Sequence, residues 1–241
     1  MKRIGLIGGM SFESSAVYYK LINEMVREAL GGLSSADLFL HSVDFAEIVA
    51  MQKAGKWDDA ANKLAESAKM LEKSGADCIL ICTNTMHKVA DTVAASVDIP
   101  LISIIDETAK AIKSAGASKP LLLATRYTME HGFYQQVMAR HGLEIMVPEA
   151  ADRTMVHDII FEELCAGKVD DQSRQRMMAI VDAAKADGAD SVILGCTEIC
   201  LLVDEHCLSL PVFDSTAIHC EAALSFALSG EPGMKQATKA A

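Results

Sequence analysis

The sequence predicts an α/β protein of two similar domains, each a parallel sheet flanked by helices, related by a pseudo-twofold with the site in the cleft between them. Three observations predict it. Short, almost wholly apolar runs alternate with longer segments whose apolar residues recur at helical spacing, the pattern of parallel strands covered on both faces by crossover helices. The chain also resembles itself at a constant offset of 113 residues. Finally, the matching strand ends in the two copies both run into small polar residues, and the carboxyl ends of strands are where open α/β sheets bind their ligands.

The strands are expected at 3–8, 37–43, 77–82, 101–104, 121–125, 191–195 and 212–214, each short and rich in Ile, Leu or Val. Helical patterns fill 14–30, 58–74, 87–95, 107–115, 132–141, 153–167, 172–187 and 216–228. The repeat sets Gly75-Ala76-Asp77-Cys78-Ile79-Leu80-Ile81-Cys82-Thr83 over Gly188-Ala189-Asp190-Ser191-Val192-Ile193-Leu194-Gly195-Cys196, each behind an Ala-rich helix. A weaker match lays 6–22 over 122–138, with Tyr18 over Tyr134, and a third sets Pro100 to Asp106 against Pro211 to Asp214. We therefore expect 1–99 plus 212–229 to form one half, 100–211 the other, and 230–241 a flexible tail.

Bulk properties exclude several classes. With 241 residues, 51% of them hydrophobic, the chain can bury a substantial core. A net charge of −11 leaves no basic patch for nucleic acid, so an acidic ligand needs a locally positive pocket. No apolar run nears the roughly 20 residues of a membrane span, and the opening Met1-Lys2-Arg3 leads into a strand pattern rather than a signal peptide. Seven cysteines without a Cys-x-x-Cys pair fit reduced thiols in the cytoplasm, with no metal site, better than a disulfide framework or structural zinc.

In the repeat Thr83 corresponds to Cys196, and both open into helices. Thr83-Asn84-Thr85 and Cys196-Thr197-Glu198 put small polar side chains where a helix N-terminus leaves amides unpaired, an arrangement suited to a carboxylate. A thiol there feels the positive end of the helix dipole, which lowers its pKa. Cys196 is either the chain's best base or one more buried strand thiol, the role assumed for Cys78, Cys165, Cys200, Cys207 and Cys220.

Gly8-Gly9-Met10-Ser11, Thr83-Asn84-Thr85-Met86-His87 and Gly195-Cys196-Thr197-Glu198-Ile199, in this order and spacing, resemble the signatures of the aspartate/glutamate racemase family across 3–228. The resemblance implies inversion at the α-carbon of an acidic amino acid without pyridoxal phosphate or any other cofactor, by two cysteines flanking that carbon. This chain departs from that pattern at Thr83, where the family has cysteine, and so is most similar to the single-cysteine members specific for L-aspartate and L-glutamate that use threonine and cysteine. Cys82 precedes Thr83, but strand side chains alternate between faces, so Cys82 should turn away from the cleft.

A threonine hydroxyl is a far weaker acid than a thiol, so the two faces of the substrate are expected to be unequal. Cys196 would take the α-proton of the L-enantiomer and the Thr83 side would return one, with L to D favoured in turnover. Asn84, Thr85 and Thr197 would bind the α-carboxylate. Met10 and Ser11 line the pocket floor, and Glu198 and His87 support it by hydrogen bonds. By resemblance, Gln52 and Lys168 address the substrate's side chain; Lys168 reads equally as a solvated charge beside Gly167, and Arg126 as a cleft or rim residue. A homodimer is implied by the family alone. The rivals are a cysteine-dependent decarboxylase or maleate-type isomerase on the same scaffold, and a non-catalytic acidic amino-acid binder.

Overall fold

The computed structural model describes residues 1–229; the expected tail at 230–241 lies outside them. In the first sheet β1 (Ile4–Gly8) lies between β2 (Leu38–Ser42) and β3 (Cys78–Ile81), all parallel, with Ile4 opposite Leu38 and Cys78. In the second, β4 (Pro120–Leu123), β5 (Ser191–Leu194) and β6 (Val212–Asp214) are parallel in that order. Leu101 adds a single parallel bridge beyond β3, at Ile79, and Met146 adds one beyond β4, at Leu121. Both sheets therefore run in one order, β2-β1-β3-Leu101 against Met146-β4-β5-β6, as an internal duplication requires.

The helices of the first part are α1 (Phe12–Leu30), α2 (Phe45–Lys53), α3 (Trp57–Lys73), a 3₁₀ turn (Thr85–Val89) leading into α4 (Ala90–Ala94), and α5 (Ile104–Ser114). There follow α6 (Arg126–Glu130), α7 (Phe133–Arg140) and α8 (Ala150–Asp158), which passes into a π-helix (Ile159–Glu163) and a 3₁₀ turn (Leu164–Ala166). The chain closes with α9 (Asp171–Ala186), a 3₁₀ turn (Thr197–Leu201) and α10 (Ser215–Leu228). Among the described residues no helix is long and apolar enough to cross a membrane.

Three expectations change. The run 153–167 is not one α-helix but three segments of different pitch. The strand expected at 101–104 shrinks to the Leu101 bridge, because Ser103 caps α5 by accepting from the Asp106 amide and Ile104 is already helical. The segment 212–229 divides: β6 is hydrogen-bonded to β5 in the second sheet, and only α10 packs on the first.

Alternation along β3 sorts its side chains. Ile79 and Ile81 pack with Leu64 and Ala68 of α3, whereas Cys78, Leu80 and Cys82 face Tyr18 and Ile22 of α1 and Cys220 and Ala223 of α10. The second core gathers Leu121 to Leu123, Val192 and Ile193 under Ile105, Tyr134, Met138 and Ile180. Each fully buried aliphatic side chain contributes about 1.5–3 kcal/mol by leaving water, which fixes the strands whose carboxyl ends meet at the cleft. At the first of these ends the turn requires glycine: Gly9 has φ +87, and a Cβ there would lie 2.2 Å from the Val43 carbonyl oxygen.

Candidate active site

Between the two sheets, at the strand ends, lies a cavity of about 50 Å³, several times the roughly 10–15 Å³ one water needs. That is room for a small molecule rather than a polymer. Residues from both halves line it, among them Met10, Ser11, Gln52, Thr83, Asn84, Thr85, Cys196, Thr197 and Glu198, all expected from the sequence. Among the described residues no cluster of three or more His, Cys, Asp or Glu is placed to hold a metal ion.

At the first strand end Cys82 is fully buried with the α1 and α10 side chains but also borders the cavity, against expectation, and Thr83 beside it is partly exposed. The backbone of Thr83 is held twice: its N–H donates to the Ile81 carbonyl at 2.8 Å, and its own carbonyl accepts from His87 Nδ1 at 2.8 Å. The Ile104 amide donates to His87 Nε2 at 3.1 Å, so this ring carries its proton on Nδ1. Burial pushes His87 down to about 4, leaving it neutral.

Asn84 is buried, and its orientation follows from its neighbours. Ser215 Oγ donates to the Leu194 carbonyl at 2.8 Å and so accepts from Asn84 Nδ2 at 3.0 Å. Asn84 Oδ1 is left without a partner in the protein. An unpaired buried acceptor costs about 1–3 kcal/mol, and a donor on a ligand would recover it.

At the second strand end three donors converge on the buried Glu198 carboxylate. Cys196 Sγ and Thr197 Oγ1 reach Oε2, each at 2.8 Å, and Ser11 Oγ reaches Oε1 at 2.9 Å. The expectation of a depressed thiol pKa is corrected here. Burial first, then the charge of Glu198 and the hydrogen bond to it, push the Cys196 thiol well above its ordinary range. A one-turn 3₁₀ helix behind Cys196 offers too small a dipole to outweigh an adjacent carboxylate.

The two ends are tied across the cleft in matching fashion. Thr85 Oγ1 hydrogen-bonds Thr125 and Thr128 Oγ1, both at 3.0 Å, and Thr125 is the N-cap of α6 in the other half. Glu198 occupies the position equivalent to Thr85 and hydrogen-bonds Ser11, the N-cap of α1 in the first half.

The remaining expected residues fall in different places. Gln52 lines the cavity with its Nε2 directed at Met86 Sδ, 3.2 Å away. Lys168 does not line it: it is exposed beyond Gly167, where φ +72 turns the chain outward after the π-helix. Arg126 is exposed at the start of α6 and does not line the cavity. Among the lining residues that sequence reasoning missed are Phe45, Tyr127, Ile160, Phe161 and Cys165. The Asp44-Phe45-Ala46-Glu47 run is a helix-start signature that signals α2 and hence Phe45, and Asp44 does accept from the Ala46 amide. Nothing in the local sequence signals the π-helix that carries Ile160 and Phe161.

Known proteins share this architecture. A proposed Asp/Glu racemase from Yersinia pestis has 49% identity and a TM-score of 0.90, covering 95% of this chain and 100% of its own. An aspartate racemase homologue from Pyrococcus horikoshii has 36% identity and a TM-score of 0.84, covering 94% and 99%. The broad specificity amino-acid racemase RacX of Bacillus subtilis is 22% identical over 219 residues, 89% of this chain and 93% of its own. Residues 7–223 match the Asp/Glu/hydantoin racemase family, and with the duplicated sheets and polar strand ends described above, the chain belongs to that family.

Proposed function

We propose that this isomerase is an amino-acid racemase that inverts the α-carbon between Cys196 and Thr83, and that aspartate and glutamate, the substrates named for its relatives, are the first to test. The single observation that carries the reading is the pair of dissimilar proton-bearing groups, one from each half, lining one small cavity. Proton removal from one face and return from the other requires that arrangement.

The hydrogen bonds suggest how each part works. With its thiol proton already shared with Glu198, Cys196 reaches the thiolate state by passing that proton along an existing 2.8 Å contact. Glu198 acts as the base for the base. The orphan Asn84 Oδ1 accepts from a donor and so suits the α-ammonium, while Nδ2, which gives one of its two N–H groups to Ser215, keeps the other for the α-carboxylate. The α-carboxylate falls to that N–H and the Thr85 and Thr197 region. Thr83 cannot store a negative charge, so it returns a proton, relayed from water, to the carbanionic intermediate formed at the Cys196 face.

The two directions differ in kcat and KM separately, with L to D favoured in turnover; their kcat/KM ratio is fixed at one because free enantiomers are equal in energy. Solvent deuterium wash-in at Cα tests the assignment. Exchange from L-aspartate or L-glutamate should vanish in Cys196→Ser, and rapid exchange surviving that change would overturn it.

A further inference from the structure

The walls of the cavity opposite the strand ends carry information that α-carbon chemistry does not use. A second cavity of about 160 Å³ lies against the first, and the two share Gln52, Tyr127 and Phe161. These three side chains are the partition between them. The partition is braced by rings: Phe161 packs on His157 with centroids 4.6 Å apart, His157 meets Tyr127 at 6.3 Å, and Tyr127 meets Trp57 of α3 edge-on at 6.0 Å. Trp57 belongs to the first half and the others to the second, so the wall spans the cleft. The π-helix delivers Phe161 to it, and single π turns inside helices occur often at functional sites.

Beyond the partition the lining changes character. The outer chamber is bounded by Val49, Lys53, His157, Asp158 and Glu162. Two carboxylates against one ammonium leave it net negative, and His157 is held neutral near pH 7 because burial and the charge of Arg126 oppose its protonation.

We propose that Phe161, with Tyr127 and Gln52, sets the length of the substrate's side chain, and that the chamber behind it would accept a longer side chain ending in a cation, as in ornithine or lysine. This rests on the racemase reading of the same cleft. In the native protein the ring stands between the inner cavity and the outer chamber. Replacing it joins the two spaces without touching Cys196, Thr83 or Glu198.

The test is Cα deuterium wash-in from L-glutamate, L-ornithine, L-lysine and the anionic, length-matched L-2-aminoadipate, with native protein and Phe161→Ala. The ratio of kcat/KM for ornithine or lysine to that for glutamate should rise at least tenfold in the variant, and 2-aminoadipate should gain less. Adding Asp158→Asn and Glu162→Gln should erase the gain for the basic amino acids alone. An unchanged ratio in a variant that still exchanges glutamate overturns the length filter, and a larger gain for 2-aminoadipate overturns the assignment of a cation. If Phe161→Ala fails to fold, Phe161→Leu is judged by the same ratio. If the native protein exchanges no amino acid, the racemase reading fails by itself; calorimetric Kd values for the same four ligands then decide the filter, a tenfold rise in the binding ratio supporting it and no change overturning it.

Discussion

The two strand ends that face each other are copies of one design with opposite chemistry. Each leaves a parallel strand, enters a 3₁₀ turn and ties the third residue of its motif to the N-cap of the other half's leading helix: Thr85 to Thr125, Glu198 to Ser11. At the first end the hydrogen bonds hold backbone, with His87 gripping the Thr83 carbonyl, and leave the Thr83 hydroxyl without an acidic or basic partner among the described contacts. At the second they hold a proton, with the thiol of Cys196 bonded to Glu198. A duplicated scaffold can thus keep its geometry while its two ends differ in chemistry, and in the proposed mechanism that difference makes one the proton return and the other the base.

The strongest test of that contrast is a pair of substitutions. Cys196→Ser should lower Cα exchange from the L-enantiomer by about 10³-fold, within the range for losing a positioned acid–base group. Thr83→Ala should instead spare wash-in from the L-enantiomer while racemisation to D falls at least tenfold; equal loss of both would break the comparison. The next largest effect is expected from Glu198→Gln. Its charge is among the causes that raise the Cys196 thiol, so the variant's thiol should titrate at lower pH, read by thiolate absorbance. Activity should nonetheless fall about tenfold to a hundredfold, because the proton acceptor has gone.

A pH experiment probes the first end's backbone grip. His87 and His219 are both buried and neutral, lowered by burial to about 4 and about 3. Tyr18 donates to His219 Nδ1 at 2.8 Å, and His219 Nε2 donates to the Ile102 carbonyl, also at 2.8 Å. Because their folded values lie below the unfolded ~6.5, their neutral state costs nothing above that pH, and stability is lost as pH falls from about 6.5 towards the folded values. At pH 5 the loss should be on the order of 2 kcal/mol for each, visible as a falling Tm, and His87→Asn should flatten part of that slope. The smallest effect is expected from Thr85→Val, which removes the cross-cleft hydroxyl while Thr125 and Thr128 keep each other at 3.1 Å. About 1 kcal/mol, or a Tm drop of roughly 2–4 °C, should follow.

Much of this was legible in the residues. Continuous apolar runs marked every strand except the one that shrinks to Leu101, and the 113-residue offset correctly placed Thr83 and Cys196 at equivalent ends. What stayed hidden depends on long-range packing. The Cys196 thiol is raised first by burial and then by Glu198, two residues away in sequence, and Glu198 is itself hydrogen-bonded to Ser11 from the opposite half. The aromatic wall of Tyr127, His157 and Phe161 assembles only because α8 gives way to a π-helix, for which the Ile159-Ile160-Phe161 run carries no signal. Lys168 was assigned by resemblance alone, and in the exposed turn after Gly167 it does not line the cavity.

The exchange of segments between the halves has a consequence for synthesis. The first sheet's buried face, with Ile4, Leu6 and Tyr18, is sealed by Cys220, Ala223 and Ala227 of α10, and the Lys2 amide donates to the Ala227 carbonyl at 2.8 Å. On the ribosome, that face has only α1 to cover it while the whole second sheet is translated. The N-terminal portion is therefore the last to be completed, and a nascent chain stalled before α10 would present a sticky surface to chaperones rather than a finished half.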